Sequence, residues 1–258
     1  MKITILGSGT SVGVPQIGCT CKVCTSSDPR DKRLRCSGLV ETNGVRVLID
    51  CGPDFREQML RLNDFRPIDG VLVTHEHYDH VGGLDDLRPF CSFREIPVCA
   101  EDYVADRLQS RMPYCFVKHP YPGIPHIPLT RLRAGESFAL SNGEGRRVEI
   151  MPFRVLHGQL PILGYRIGQM AWITDMLTLP EESYSYLQGL DCLIMNALRF
   201  EKHWTHQSLS EALEKAKRIG ARETYFIHMS HDIGLHAETS ALLPDHIHLA
   251  YDGMEIML

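Results

Sequence analysis

Short runs of apolar, often β-branched residues recur along this chain and alternate with polar turn residues. Runs of this length favour strands over helices. They predict strands at 2–6, 39–49, 71–74, 96–99, 148–155, 164–174, 193–196 and 224–228. Asn43 and Gly44 interrupt the second run, and because both tolerate positive φ angles, we expect a hairpin there.

One later stretch has a helical period instead. Its apolar face consists of Leu209, Ala212, Leu213 and Ala216. Ser208 with Glu211 predicts a capping box at the start of this helix, and Gly220 predicts its C-terminal end. A hairpin followed by alternating strands and helices predicts an α/β sandwich, with two sheets inside and helices outside.

The chain shows no internal repeat, no low-complexity tract and no Ser/Gly-rich linker. We therefore expect residues 1–258 to form one domain. The segment 113–128 contains five prolines and predicts an irregular surface loop, placed to overhang a site.

The densest cluster of candidate ligands directly follows the predicted strand at 71–74. It consists of His75, His77, Asp79 and His80. Alternate side chains of an extended segment share a face, so His75 and His77 can reach one ion. Asp79 and His80 follow on a predicted turn and can face a second ion. Imidazole with carboxylate suits Zn²⁺, Mn²⁺ or Fe better than Ca²⁺ or Cu(I).

Histidines at a strand end are usually surface residues or satisfied core residues. The chain has thirteen histidines, and chance seldom places three of them with an aspartate in six residues. The density of this cluster therefore favours metal binding.

The His-x-His-x-Asp-His motif after a strand resembles the signature of the metallo-β-lactamase superfamily, which implies an αββα four-layer sandwich. Further residues match the remaining ligands in chain order, each at the end of a predicted strand: His157, Asp175 and His228. The resemblance implies a first metal held by His75, His77 and His157. It implies a second metal held by Asp79, His80 and His228, with Asp175 shared by both.

Asp50 resembles the superfamily's early acidic residue, which usually orients the ligands. A structural role for Asp50 is an equally open interpretation.

A second candidate site lies near the N-terminus, where Cys19, Cys21 and Cys24 supply three soft ligands. A closed tetrahedral zinc site needs one more, and His231, three residues after His228, is the candidate. This pattern and the ending at 251–256 resemble the PhnP-type phosphodiesterases, which implies a structural Zn²⁺ apart from the catalytic pair. A redox relay or a labile cluster are the alternatives.

Net charge and the N-terminal sequence limit the kinds of binding partner and the cellular compartment that we expect. The formal charge is −5 and no basic arm is present, so we expect no stable binding to nucleic acid. The first apolar run is too short for a signal peptide and no later run approaches a membrane span. Nine cysteines without an export signal favour thiols and metal ligands in a reducing cytoplasm.

The Gly-rich stretch at 7–15 lacks the third glycine of a dinucleotide fingerprint and the Gly-Lys-Ser/Thr of a P-loop, so we exclude nucleotide binding of those kinds.

The resemblance implies a hydrolase with two divalent ions, Zn²⁺ or Mn²⁺, that cleaves a small cyclic or nucleoside phosphodiester through a metal-bound hydroxide. His206 matches a histidine that related enzymes carry near the scissile bond, and we count it with Asp79 as catalytic. As general acid, His206 competes with His203, and a helix-capping or solvent-facing role for His206 stays open. A homodimer is a family-level expectation.

Several other activities remain alternatives. A tRNA 3′-processing endonuclease, a PqqB-like protein and a lactam- or thioester-cleaving hydrolase would share the fold. A non-hydrolytic oxygenase or redox protein would require iron at the same ligands.

Overall fold

The structure, a computed structural model, describes residues 1–117 and 123–258. The strands are β1 Lys2–Gly7, β2 Ser37–Thr42, β3 Val45–Ile49, β4 Gly70–Leu72, β5 Val98–Glu101, β6 Leu129–Leu132, β7 Phe138–Ser141, β8 Arg147–His157, β9 Leu160–Ile167, β10 Met170–Ile173, β11 Cys192–Asn196, β12 Glu223–Ile227, β13 Ile247–Leu249 and β14 Glu255–Met257. The α-helices are α1 Phe55–Leu62, α2 Tyr78–Val81, α3 Asp102–Arg111, α4 Leu209–Ile219 and α5 His236–Ser240.

The strands form two seven-stranded sheets with the same internal plan. The first runs β14-β1-β2-β3-β4-β5-β6 and the second β13-β12-β11-β10-β9-β8-β7. In each sheet, one half pairs antiparallel and the other half parallel. The parallel strands β3 and β4 of one sheet and β10 to β12 of the other bring their carboxyl ends to a common edge.

The core between the sheets is packed around large side chains such as Trp172, Tyr165 and Ile49, which are fully buried. Gly38 of β2 lies directly under the indole, because a Cβ atom there would stand 2.4 Å from Cζ3 of Trp172. The glycine is therefore required by the close approach of the two sheets.

Helices cover the outer face of each sheet. Phe55 of α1 and Leu108 of α3 pack on the first sheet, and Leu209 and Ala216 of α4 pack on the second. Apolar helix faces thus cover apolar sheet faces, which completes the predicted αββα four-layer sandwich. Within the described residues, no helix combines the length and hydropathy needed to cross a membrane.

Most strand predictions agree with the structure to within two residues, and the hairpin at Asn43 and Gly44 is confirmed. The single strand predicted at 164–174 is wrong. Gly168, at φ +56°, turns the chain there, so the run divides between β9 and β10 as an antiparallel hairpin. Asp79 and His80, predicted on a turn, lie in the short helix α2.

Four strands had no counterpart in the prediction: β6, β7, β13 and β14. They have three or four residues each and are the edge strands of the two sheets. Strands this short show only a weak alternation of apolar and polar residues.

In the proline-rich segment, 113–116 is a short 3₁₀ helix, which the loop prediction missed, and 124–128 is irregular as predicted. The prediction for 118–122 lies outside the described residues. The predicted helix is α4, and its capping box is present: the Ser208 hydroxyl accepts from the Glu211 amide, and Glu211 Oε2 accepts from the Ser208 amide at 2.8 Å. Gly220 ends it in the left-handed region.

We expect Ser208→Ala to lower the free energy of unfolding by about 1 kcal/mol, because the first turn of α4 loses a side-chain acceptor for its amide groups. Chemical denaturation measures the change. Glu214→Ala, at an exposed position of the same helix away from the cap, is the control and should cost much less. Equal losses in both variants would contradict the capping role.

Candidate metal centre

The candidate catalytic ligands sit where strands end. Asp50 follows β3, His75 and His77 follow β4, His157 is the last residue of β8, Asp175 follows β10 and His228 follows β12. All these strand ends lie at the common edge of the two sheets, so residues far apart in sequence meet there. The structure brings together all seven residues that the sequence predicted as ligands of the catalytic metals.

The first ligand set consists of His75, His77, His157 and Asp175, whose ligand atoms all lie within 4.8 Å of one another. Nε2 of His75 is 3.0 Å from Nδ1 of His77 and 3.7 Å from Oδ2 of Asp175. Nδ1 of His157 faces the Thr205 carbonyl at 2.9 Å, which leaves Nε2 of His157 for a metal.

The second set consists of Asp79, His80, Asp175 and His228, and its ligand atoms meet the same distance limit. Nε2 of His80 lies 3.1 Å from Oδ2 of Asp79, and Nε2 of His228 lies 3.5 Å from the same oxygen. All four residues are buried.

Asp175 belongs to both sets. Its Oδ2 faces His75, whereas its Oδ1 lies 3.3 Å from His80 Nε2 and 3.0 Å from His228 Nε2. One carboxylate oxygen is thus directed at each set, which is the arrangement of a ligand shared by two ions.

Asp50 orients two of the candidate histidine ligands through hydrogen bonds on the side of each ring that faces away from the centre. Its fully buried carboxylate accepts from the Thr74 amide at 2.9 Å and lies 2.8 Å from Nδ1 of His80. The Thr74 hydroxyl bonds both to Asp50 and to Nδ1 of His75, at 2.9 and 3.0 Å. With Nδ1 of each ring engaged, Nε2 of His75 and His80 faces the centre.

Three of these acidic and imidazole residues have positive φ angles that side chains rarely adopt: Asp50 at 58°, Asp175 at 55° and His228 at 55°. Such conformations cost on the order of 1 kcal/mol or more and persist where the surrounding structure imposes them. Their concentration at the strand ends indicates that the backbone is held to aim these side chains.

The charges of the site favour a cation. Burial alone would raise the pKa of Asp175, but His228 and His80 hold it well below its usual range. Burial opposes charge on His80 as well, yet Asp79, Asp175 and Asp50 raise its pKa well above normal. A proton on His80 thus balances buried carboxylates that a divalent ion would balance more fully.

The donor set fits such an ion. His80 Nε2 is buried and makes no hydrogen bond of acceptable geometry, although carboxylate oxygens of Asp79 and Asp175 lie 3.1 and 3.3 Å away. Burial also keeps His75 neutral, since it holds the pKa of this imidazole well below its usual range. Neutral imidazoles with ionised carboxylates are the forms that bind Zn²⁺ or Mn²⁺.

The cysteine cluster forms a separate set, in which the ligand atoms of Cys19, Cys21, Cys24 and His231 also lie within 4.8 Å of one another. Nδ1 of His231 lies 3.4 Å from Cys19 Sγ and 3.2 Å from Cys21 Sγ. Its bond with His231 lowers the pKa of Cys21 to about 6, whereas burial raises the pKa of Cys24 to about 11. The described residues include all nine cysteines, and none of them is in a disulfide.

His206 lies against both catalytic sets. Its ring centroid is 4.6 Å from that of His157 and 4.9 Å from that of His228. The side chain is 8% exposed, and its Nδ1 has no hydrogen-bond partner. Burial lowers the pKa of His206 to about 3, so the resting imidazole is neutral at neutral pH. His203 lies behind it, with ring centroids 5.1 Å apart.

Sequence reasoning missed residues that act through a backbone carbonyl group or by holding a turn. Thr205 orients His157 by its carbonyl group, which no residue type signals. Asn196 ends β11 and holds the turn after Asp175, because its side chain accepts from the Met176 amide and donates to the Met176 carbonyl. A buried asparagine at a strand end was the available signal for it.

Comparison with known proteins gives the family. A sequence model described as a beta-lactamase superfamily domain matches residues 45–229. A Porphyromonas gingivalis protein named octanoyltransferase is 46% identical over 260 residues, which cover 100% of this chain and 52% of that protein. The chain therefore spans about half the length of that curated relative.

Two crystal structures extend the comparison. A structure described as a new diphosphatase from the PhnP family is 40% identical, with a TM-score of 0.88 over 99% of this chain and 96% of its own. Zn²⁺-bound PqqB from Methylobacterium extorquens, at 20% identity and TM-score 0.81 over the whole of both chains, shares the fold. With its ligand motif, its two facing sheets and these matches, the chain belongs to the metallo-β-lactamase superfamily and, within it, to the PhnP family.

Proposed function

We propose that the protein is a metal-dependent phosphodiesterase that hydrolyses a small cyclic or nucleoside phosphodiester. The observation that carries the proposal is the position of His206, which contacts one ligand of each catalytic set, His157 and His228. A phosphoryl group lying across both sets would meet this imidazole at one side. The likeness to a PhnP-family diphosphatase supports hydrolysis at a phosphorus centre, although a diphosphatase cleaves a phosphoanhydride and the proposal is a diester.

The proposal assigns His75, His77 and His157 to one divalent ion and Asp79, His80 and His228 to another, with Asp175 shared. When bound, such ions supply a hydroxide nucleophile at neutral pH and neutralise charge on the phosphoryl oxygens. Asp79 and Asp175 balance two of the four positive charges of the pair, so the centre attracts an anionic diester.

His206 is proposed to protonate the leaving oxygen. Its resting imidazole is neutral, so it must first take up a proton from solvent, and the negative charge of a bound diester beside the ring favours this imidazolium form. The proton then passes to the alkoxide as the P–O bond breaks. His203 stands behind His206 and is the alternative proton donor.

The other activities have less support from the described residues. A tRNA nuclease needs a basic surface to hold its substrate, and the net charge of −5 offers none overall. Acyl transfer through a thiolate is disfavoured in the core, because burial raises the pKa of Cys99 and Cys192 to about 12. The octanoyltransferase name belongs to a relative of which this chain matches 52%.

Purified protein should hold up to three metal ions per chain after metal-supplemented expression, because the two catalytic sets, which share Asp175, and the separate cysteine set each offer one site. One ion, assigned to the cysteine set as Zn²⁺, should resist gentle chelation that removes the others. Elemental analysis before and after chelation measures both numbers. One metal or none in the untreated protein would contradict the assignment of these sets.

Cys21→Ser should lower the melting temperature by at least ~5 °C, because a structural zinc contributes directly to folding free energy. Calorimetry measures the shift. Cys91→Ser, at a partly exposed cysteine outside the ligand sets, is the control. An unchanged melting temperature in Cys21→Ser would overturn the structural role of the cluster.

His206→Ala should slow an alkyl or nucleoside cyclic phosphodiester by about 10²- to 10⁴-fold, the usual contribution of general acid catalysis. Bis-p-nitrophenyl phosphate should be affected far less, since nitrophenolate leaves without a proton. Steady-state kinetics on both substrates, with metal content measured alongside, tests the difference.

The matched control is His77→Ala, which removes a ligand and should slow both substrates together. If His206→Ala slows both by one factor, His206 is a binding or packing residue. The same kinetics on His203→Ala would then show whether His203 donates the proton.

A further inference from the structure

Trp204 is an exposed tryptophan beside the candidate catalytic site. Its side chain is 91% exposed, although tryptophan normally buries a large apolar surface. The other tryptophan of the chain, Trp172, is fully buried between the sheets. Trp204 therefore contributes almost nothing to the folded core.

The loop that carries Trp204 joins β11 to α4 and is tied at both ends. The Leu198 amide donates to the Gln207 carbonyl at 3.1 Å, and the Leu209 amide donates to the Arg199 carbonyl at 2.7 Å. The Gln207 amide reaches across to the Met176 carbonyl at 3.1 Å. Trp204 is therefore exposed on a loop that backbone hydrogen bonds hold in place.

The same loop is fixed against the metal centre. The Thr205 carbonyl bonds Nδ1 of His157, and a Cβ on Gly158 would lie 3.2 Å from Cγ2 of Thr205. His206 follows, with its ring against those of two ligands. Only Thr205 separates Trp204 from His206, so their Cα atoms lie within about 7 Å of each other.

We propose that Trp204 is the platform on which an aromatic base of the substrate's leaving group stacks. The proposal rests on the proposed phosphodiesterase function, in which His206 protonates the leaving oxygen. A ribose spans the short distance from that oxygen to a base, so a nucleoside leaving group can bring its base within reach of a side chain two positions before His206. Stacking requires only a π face, so it would select nucleosides without selecting one base.

Binding can be tested without turnover, because the second tryptophan is buried and gives a separate emission. In the metal-loaded protein, adenosine 5′-monophosphate should quench the Trp204 emission and protect it from acrylamide. Ribose 5-phosphate, which lacks the base, should do neither. Trp204→Phe leaves Trp172 as the reporter, and its emission should not respond to the nucleotide. Equal responses to both probes would overturn the proposal.

Turnover gives an independent test with a matched substrate pair, adenosine 2′,3′-cyclic phosphate and methyl β-ribofuranoside 2′,3′-cyclic phosphate. Trp204→Ala should reduce the preference in kcat/KM for the adenosine substrate by roughly 5- to 150-fold, mainly through KM. Trp204→Phe should keep most of this preference, because a phenyl ring still stacks.

Leu242→Ala, at a 70% exposed position before β13 and away from the carboxyl ends of the strands, is the control and should leave the preference as it is. A preference that Trp204→Ala does not change would overturn the stacking role. If neither cyclic phosphate is hydrolysed, the diesterase assignment is wrong. The stacking role of Trp204 is then judged from the quenching of its fluorescence by the nucleotide alone. If the Trp204 emission shifts when the protein is diluted but does not respond to the nucleotide, Trp204 lies in a contact between two copies of the chain. This result would also overturn the proposal.

Discussion

Three carboxylates, those of Asp50, Asp79 and Asp175, are buried within hydrogen-bond distance or close contact of one imidazole, that of His80. Burying unbalanced charge costs several kcal/mol per ion, so such a group is tolerated only with compensating cations. A proton on His80 compensates part of this charge, and a divalent ion bound by neutral His80 would displace that proton and compensate the carboxylates more fully. The strand ends and the contacts between the two sheets around the site form a frame that holds these carboxylates close together.

The frame works because both sheets end at one edge and the backbone is constrained there. Tyr165 of the second sheet donates to the Val73 carbonyl at 2.6 Å, and the Leu163 amide donates to the Thr74 carbonyl at 3.1 Å. These bonds hold the segment that leads to His75 onto the opposite sheet. The positive φ angles of Asp175 and His228 direct their side chains toward the ligand sets. Packing between the two sheets offsets the free-energy cost of these backbone conformations.

The sequence was most informative where the chemistry is local. His75 to His80 form one short motif, and the cap of α4 is set by Ser208 with Glu211, so pattern alone predicts them. His157 and Asp175 could be proposed through family resemblance, since each is a single residue at a strand end. The carbonyl contact from Thr205 and the exposure of Trp204 depend on how a loop closes across the fold. Similarly, the turn at Gly168 lies inside an apolar run, which conceals the boundary between β9 and β10.

The cysteine cluster and the catalytic centre are joined by one short segment, residues 228–231, which has a candidate ligand at each end. Between them, the Met229 amide donates to the Ser8 carbonyl at 3.0 Å, and the Ser230 amide donates to the Leu198 carbonyl at 2.9 Å. Leu198 begins the loop that carries His206, and Ser8 leads into the stretch that carries the cysteines. Backbone hydrogen bonds therefore connect His231 with His228 and with the loop that carries His206, so the proposed zinc site and the proposed catalytic residues share one backbone frame.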